Sequence, residues 1–146
     1  MLVTGLADAT DISAGGAYTC AVRRSGTIWC WGYNASGQLG DGTSGFNRPN
    51  PVEVVGVSDA MRVSARGGHT CAVRAGGGVS CWGSNAFGQL GGGPSADGLT
   101  ATEVAGLTDA LQVTTGASHT CALRSGGPVA CWGSNEFGQL GDGTTS

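Results

Sequence analysis

The chain has 146 residues with a formal net charge of −3, and 29 of them are glycine while only 12% carry charge. So much glycine excludes a helical bundle, and the absence of a strict every-third-residue period excludes collagen; many short strands joined by tight turns use glycine this way. All seven basic residues are arginine and they are scattered, so no basic stripe stands ready to neutralise phosphates, and nucleic acid is excluded as a direct partner.

No apolar run reaches the length needed to span a bilayer, so membrane insertion is not expected. The opening "MLVTGLADATD" has neither a basic nor a long apolar leader region, so no signal peptide is visible.

One sentence is spoken three times. "YTCAVRRSGTIWCWGYNASGQLGDGT" starts at Tyr18, "HTCAVRAGGGVSCWGSNAFGQLGGGP" at His69 and "HTCALRSGGPVACWGSNEFGQLGDGT" at His119. Cys20, Cys71 and Cys121 follow one another at intervals of 51 and 50 residues, as do Trp31, Trp82 and Trp132, and Gly5, Gly56 and Gly106. A period near 50 means one supersecondary unit per copy, stacked into a solenoid or propeller.

In chain order, residues 1–9 form an N-terminal closing strand and linker, 10–58 a first blade, 59–108 a second, and 109–146 a third that lacks its outer strand. Within a copy the apolar period is two, as in "ALQVTT" (Ala110 to Thr115), "TCALR" and "PVACWG". "RSGT", "AGGG" and "SGGP" mark turns between strands two and three. "PVEV" (Pro51 to Val54) and "ATEV" (Ala101 to Val104) read as a short fourth strand, where proline suits an edge. The predicted fold is all-β: three four-stranded antiparallel propeller blades forming part of a ring.

The run G-x-x-H-T-C-A-L-R-x-x-G-x-V-x-C-W-G-x-N-x-x-G-Q-L-G-D-G-T, followed by P-x-x-V and V-x-G-L, resembles the regulator of chromosome condensation repeat over essentially the whole chain. The resemblance implies blades of a propeller that in this family usually has seven. Its eponymous member exchanges guanine nucleotide on a small GTPase and sits on chromatin, through a wedge insertion and a basic tail that have no counterpart here. Its bacterial members include secreted protein inhibitors of β-lactamases, and its cysteine-paired versions look like exported bacterial repeat proteins.

The cysteines stand ten apart in every copy: Cys20 and Cys30, Cys71 and Cys81, Cys121 and Cys131. With "RSG" as a three-residue hairpin loop, Val22 faces Ile28 and Cys20 faces Cys30, a separation that a disulfide spans with some pinching. Three local pairs point to an oxidising compartment, extracellular or periplasmic. Reduced core thiols and zinc are the alternatives, and zinc lacks its clustered C-x2–4-C spacing. No cofactor or metal is expected.

His69 and His119 invite a catalytic role, but Tyr18 occupies the same place in the first copy and no triad-like partner recurs beside them. Tyr18, His69, His119, Trp31, Trp82 and Trp132 are therefore assigned to packing between blades. "GQLGDGT" carries one acid, Asp41 or Asp142, and Gly92 replaces it in the second copy, so no calcium cage is present. Gln38, Gln89 and Gln139 are expected to bond the loop backbone, with Leu39, Leu90 and Leu140 capping the core. Asn34-Ala35-Ser36 matches a glycosylation acceptor in form only.

Function beyond the fold belongs where the copies diverge, "SGFNRPN" against "SADGLTAT", which makes Phe46, Arg48, Asp97 and Leu99 the candidate partner contacts. Propellers close with about four to eight blades. Three blades leave two apolar faces open, and "LVTGL" (Leu2, Val3, Gly5) aligns with the end of the fourth strand as a candidate closing strand. The expected function is a non-enzymatic protein-binding module that associates head to tail with itself, or with the remaining blades of a longer propeller, or with another protein. Two chains would make six blades and three would make nine. A loop-borne enzyme or enzyme-inhibitor site, and nucleotide exchange, are the rival readings.

Overall fold

The computed structural model describes residues 1–146 and contains strands only. The first sheet comprises β1 (Ala9–Ala14), β2 (Tyr18–Arg23), β3 (Ile28–Gly32) and β4 (Arg48–Glu53). The second comprises β5 (Ala60–Arg66), β6 (His69–Arg74), β7 (Val79–Gly83) and β8 (Gly98–Glu103). The third holds β9 (Ala110–Thr115), β10 (His119–Arg124) and β11 (Val129–Gly133). Within each sheet, strands adjacent in sequence pair antiparallel, giving two four-stranded blades and one of three strands. Antiparallel neighbours need only short turns, and the glycines supply them.

The central hairpin sets the register of each blade. Gly26 takes φ +87° at the tip of the first, where its N–H bonds Arg23 O at 2.9 Å and Arg23 N–H bonds Thr27 O at 2.9 Å. Val22 then opposes Ile28 and Cys20 opposes Cys30, and the pairs Cys71–Cys81 and Cys121–Cys131 repeat the arrangement. All three pairs are disulfides, each with Cα atoms 4.1 Å apart.

The fourth strand is where the sequence reading fell short. It begins at Arg48 and Gly98, three residues before the expected Pro51 and Ala101. A register shift between Cys30 and Gly32 carries the pairing on to Gly32 opposite Arg48. Pro49 and Pro51 are tolerated because the strand lies at the sheet edge, where a missing N–H costs no ladder bond. Leu2, Val3 and Gly5 form no strand. Their repeat counterparts are Glu53, the last residue of β4, and Val54 and Gly56 in the turn beyond it, so this segment carries mostly the exit turn of an outer strand.

The core lies between the sheets. One cluster joins Tyr18, Cys20, Val22, Ile28 and Cys30 of the first blade to Val63, Ala65, Ala72 and Trp82 of the second. The other joins Cys71, Val73, Val79 and Cys81 to Val113 and Ala122 of the third, with Trp132 packed against it. Full burial of a valine or isoleucine stabilises by about 1.5–3 kcal/mol, and here that gain requires a neighbouring blade.

Candidate functional site

The interface between blades is built twice from the same residue positions. Its centre is the backbone carbonyl of the glutamine in the Gly-Gln-Leu-Gly loop. Gln38 O accepts from Thr70 Oγ1 at 3.0 Å and from Trp82 Nε1 at 2.9 Å, and Gln89 O accepts from Thr120 Oγ1 and Trp132 Nε1, both at 2.8 Å. The tryptophans of the second and third blades thus reach back to the blade before, satisfying the one indole donor that burial would otherwise strand.

The residue at the start of the second strand reaches forward. Tyr18 donates its hydroxyl to His69 O at 2.6 Å, and burial, against the smaller lowering by the Thr70 hydroxyl, pushes its phenol up to about 12. His69 Nε2 lies 2.9 Å from Thr120 Oγ1. Because that hydroxyl gives its proton to Gln89 O, the imidazole is the donor, leaving Nδ1 bare and without a partner. Protonation would add a buried, unsatisfied N–H. Burial, with a smaller repulsion from His119, pulls the His69 pKa down to about 4.

Side chains on the inner strands complete the contact. Asp11 Oδ2 accepts from Val63 N and Ser13 Oγ from Ala65 N, each at 2.9 Å, and Ser64 Oγ accepts from Thr115 N at 3.0 Å. Gly83, beside Trp82, has φ +98°, and a Cβ there would lie 2.5 Å from Gly68 O; only glycine lets the two backbones approach.

The same positions are exposed where no other sheet of residues 1–146 packs against them. Ile28 and Val79 are 0% exposed, whereas Val129, their counterpart, is 64% exposed on the outward face of the third blade. Val63 and Val113 are 8% and 6% exposed against 64% for Ile12 on the first blade. Trp31 is half-buried on the first open face, and His119 is half-buried on the last. The first and third blades thus carry two different half-interfaces on the faces turned away from the second blade.

The four divergent-loop candidates are not brought together. Arg48 lies on β4 and pairs with Asp41, Nε to Oδ2 at 2.8 Å. Burial acts to raise the Asp41 pKa, but hydrogen bonds from Thr43 and Arg48 outweigh it and hold the carboxyl below its usual range. Asp97 Oδ1 accepts from Asn85 N at 3.0 Å, and Leu99 lies on β8 against Gly37 of the first blade, its carbonyl accepting from Gly42 N. Only Phe46 is both strongly exposed and uncommitted.

Two repeated constellations escaped the sequence reading. Asn34, Asn85 and Asn135 each anchor their loop: Oδ1 accepts from the leucine N–H five residues on, and Nδ2 donates to Thr43 O, Gly93 O or Thr144 O. Asn34 is fully buried, which removes it as a glycosylation acceptor. Gln38, Gln89 and Gln139 accept from the backbone N–H two residues before them at 2.9 Å. Leu39 is fully buried, Leu90 and Leu140 half-buried. The second constellation is an ion pair per blade, Arg23–Asp8, Arg74–Asp59 and Arg124–Asp109, at 2.6–2.7 Å. The signal for it was on view, since both members recur at the repeat intervals.

The chain matches the model of the regulator of chromosome condensation (RCC1) repeat at residues 9–38, 63–89 and 111–139, and a second model of that repeat at 25–73. It is 35% identical over 94 residues to the regulator of chromosome condensation of Drosophila melanogaster, covering 61% of this chain and 17% of that protein. It is 34% identical over 84 residues to the human probable E3 ubiquitin-protein ligase HERC4, covering 56% of this chain and 8% of that one. Among solved structures, Prp20p of Saccharomyces cerevisiae superposes over 96% of this chain and 36% of its own, with a TM-score of 0.85 at 18% identity. Human WBSCR16 superposes over 87% and 33%, with a TM-score of 0.79 at 23% identity. These superpositions establish the fold, and the chain spans less than a fifth of each of these two curated relatives. With three successive copies of the repeat matched, the chain belongs to the regulator of chromosome condensation repeat family.

Proposed function

We propose that this chain is a protein-binding propeller module without catalytic chemistry of its own, and that its open faces bind head to tail to a second copy of the chain. One observation carries this reading: Val129 and Ile12 are each 64% exposed at positions that are buried wherever a blade abuts. An apolar surface that matches an existing interface, residue for residue, favours an occupant of the same kind.

Transferring the internal interface to the open faces names the contacts. Gln139 O would accept from Trp31 Nε1 and Thr19 Oγ1 of the next copy, as Gln89 O does from Trp132 and Thr120. His119 would donate to that Thr19, as His69 does to Thr120, and Thr114 Oγ1 would take the Ala14 N–H as Ser64 takes that of Thr115. The three disulfides support a place in an oxidising compartment, outside the cell or in the periplasm. Protein binding is in keeping with solved relatives: yeast RCC1 (Prp20) was crystallised with Kap60 bound, and Prp20p has binding properties to Gsp1p and histones.

The test is the native mass in solution across a dilution series, by light scattering. A concentration-dependent dimer or larger species that Val129→Arg reduces to monomer supports the reading. A wild-type chain that stays monomeric at every concentration overturns it.

A further inference from the structure

The three disulfides share the flanking Thr-Cys-Ala and Cys-Trp-Gly context and the same cross-strand register, and they differ in what covers them. Cys20, Cys30, Cys71 and Cys81 are 0% exposed. The cover comes from the following blade: Val63, Ala72 and Trp82 share a cluster with Cys20 and Cys30, while Val113, Ala122 and Trp132 close over Cys71 and Cys81. Thr120 Oγ1 comes within 3.9 Å of Cys71 Sγ. Cys121 and Cys131 occupy the same place on the third blade, over which no later sheet of residues 1–146 packs, and both are partly exposed. Their surroundings on that face, Leu123 and Val129, are exposed as well.

We propose that Cys121–Cys131 is a thiol-exchange site, open to small thiols of the glutathione class while the last face is free and closed when a blade docks on it. The second clause rests on the docking reading above; the first does not. In the exchange, a thiolate RS⁻ attacks one sulfur of the bridge along the S–S axis, forming a mixed disulfide as the S–S bond breaks. The displaced cysteine leaves as a thiolate and takes a proton from water. A second RSH then releases the protein thiol and RSSR, so the bridge gains two electrons and two protons while two thiols are oxidised to one disulfide. Access to the sulfur is a precondition for each attack, and only this bridge joins residues that are not fully buried.

The experiment follows reduction of the chain by reduced glutathione at neutral pH, with iodoacetamide quenching and peptide mass spectrometry at each cysteine. At a protein concentration where light scattering shows monomer, Cys121 and Cys131 should be labelled at least tenfold faster than the other four. The fast phase should vanish in the Cys121→Ser, Cys131→Ser double variant. Equal rates at all three bridges overturn the proposal. So does a Cys121–Cys131 rate that climbs steeply with sub-denaturing urea, which would assign the exchange to unfolding of the third blade. At concentrations where the mass shows assembly, the fast phase should slow by a similar factor, and undiminished exchange there overturns the gating. A chain that never assembles but still exchanges selectively overturns the docking reading and leaves the exchange site standing.

Discussion

Acidification from pH 7 to pH 5 should destabilise this protein through one residue. His69 is held neutral in the fold, with its pKa lowered from 6.5 to about 4, because burial and a smaller repulsion from His119 disfavour the charged ring, whose Nδ1–H would find no acceptor. The unfolded chain takes up that proton near pH 6.5, the folded chain only near pH 4. Between those values the unfolded state binds more protons, so stability is full above about 6.5 and falls as the pH drops toward 4. Linkage of the two values gives a loss of about 2 kcal/mol between pH 7 and pH 5, and about 3 kcal/mol once both states are protonated. The carboxyls of Asp41 and Asp142 are held below their ordinary 3.8, so their own loss begins under this window. Urea unfolding followed by tryptophan fluorescence at half-unit pH steps measures the slope. His69→Tyr, which installs the residue that the first blade carries at Tyr18, should flatten it. A midpoint that does not move between pH 7 and 5, or a slope that the variant leaves intact, refutes the reasoning.

Other outcomes follow from the same geometry. Val129→Arg removes little buried area, so at a dilution where both chains are monomeric its urea midpoint should change by less than about 0.5 kcal/mol equivalent, while at higher concentration its native mass stays that of a monomer. Gly83→Ala forces a Cβ to within 2.5 Å of Gly68 O at φ +98° and should cost about 3 kcal/mol or more in urea unfolding. Gly76→Ala, at φ +88° with open space around it, should cost about 1 kcal/mol in the same assay. Asn85→Ala strands Leu90 N–H and frees Ser95 and Gly93 O, and should cost about 2–3 kcal/mol, measured by the same unfolding midpoint.

Much of this fold could be read before any coordinates, and the reason is local. The Cys20–Cys30 register follows from counting outward from a three-residue turn, and the period-two runs follow from strand geometry alone. The outer strand was started too late because Pro49 and Gly98 read as loop residues, yet an edge strand with a register shift accommodates both. Arg48 and Leu99 went with it: placed in a divergent loop by their letters, they are strand residues with partners already assigned. The interface bonds were beyond reach for a different reason. The acceptor of Trp82 is a backbone carbonyl 44 residues away, and no side-chain pattern marks which carbonyl a folded loop turns inward. Ile12 and Val129 look like ordinary members of their repeat position, and only the position of their blades in the arc distinguishes them from Val63 and Val79.

The interface between blades has two unlike halves, a glutamine carbonyl with a forward-reaching ring on one side and a threonine with an indole on the other. Neither half complements itself, so a two-fold pair of like faces is ruled out by chemistry and any chain of copies has a direction. A copy damaged on one face alone keeps the other. It would still join a growing assembly and then offer nothing to the next arrival, acting as a terminator. In the assembly proposed for this chain, a minority of Val129→Arg molecules would therefore shorten or open many structures at once, an effect out of proportion to their number.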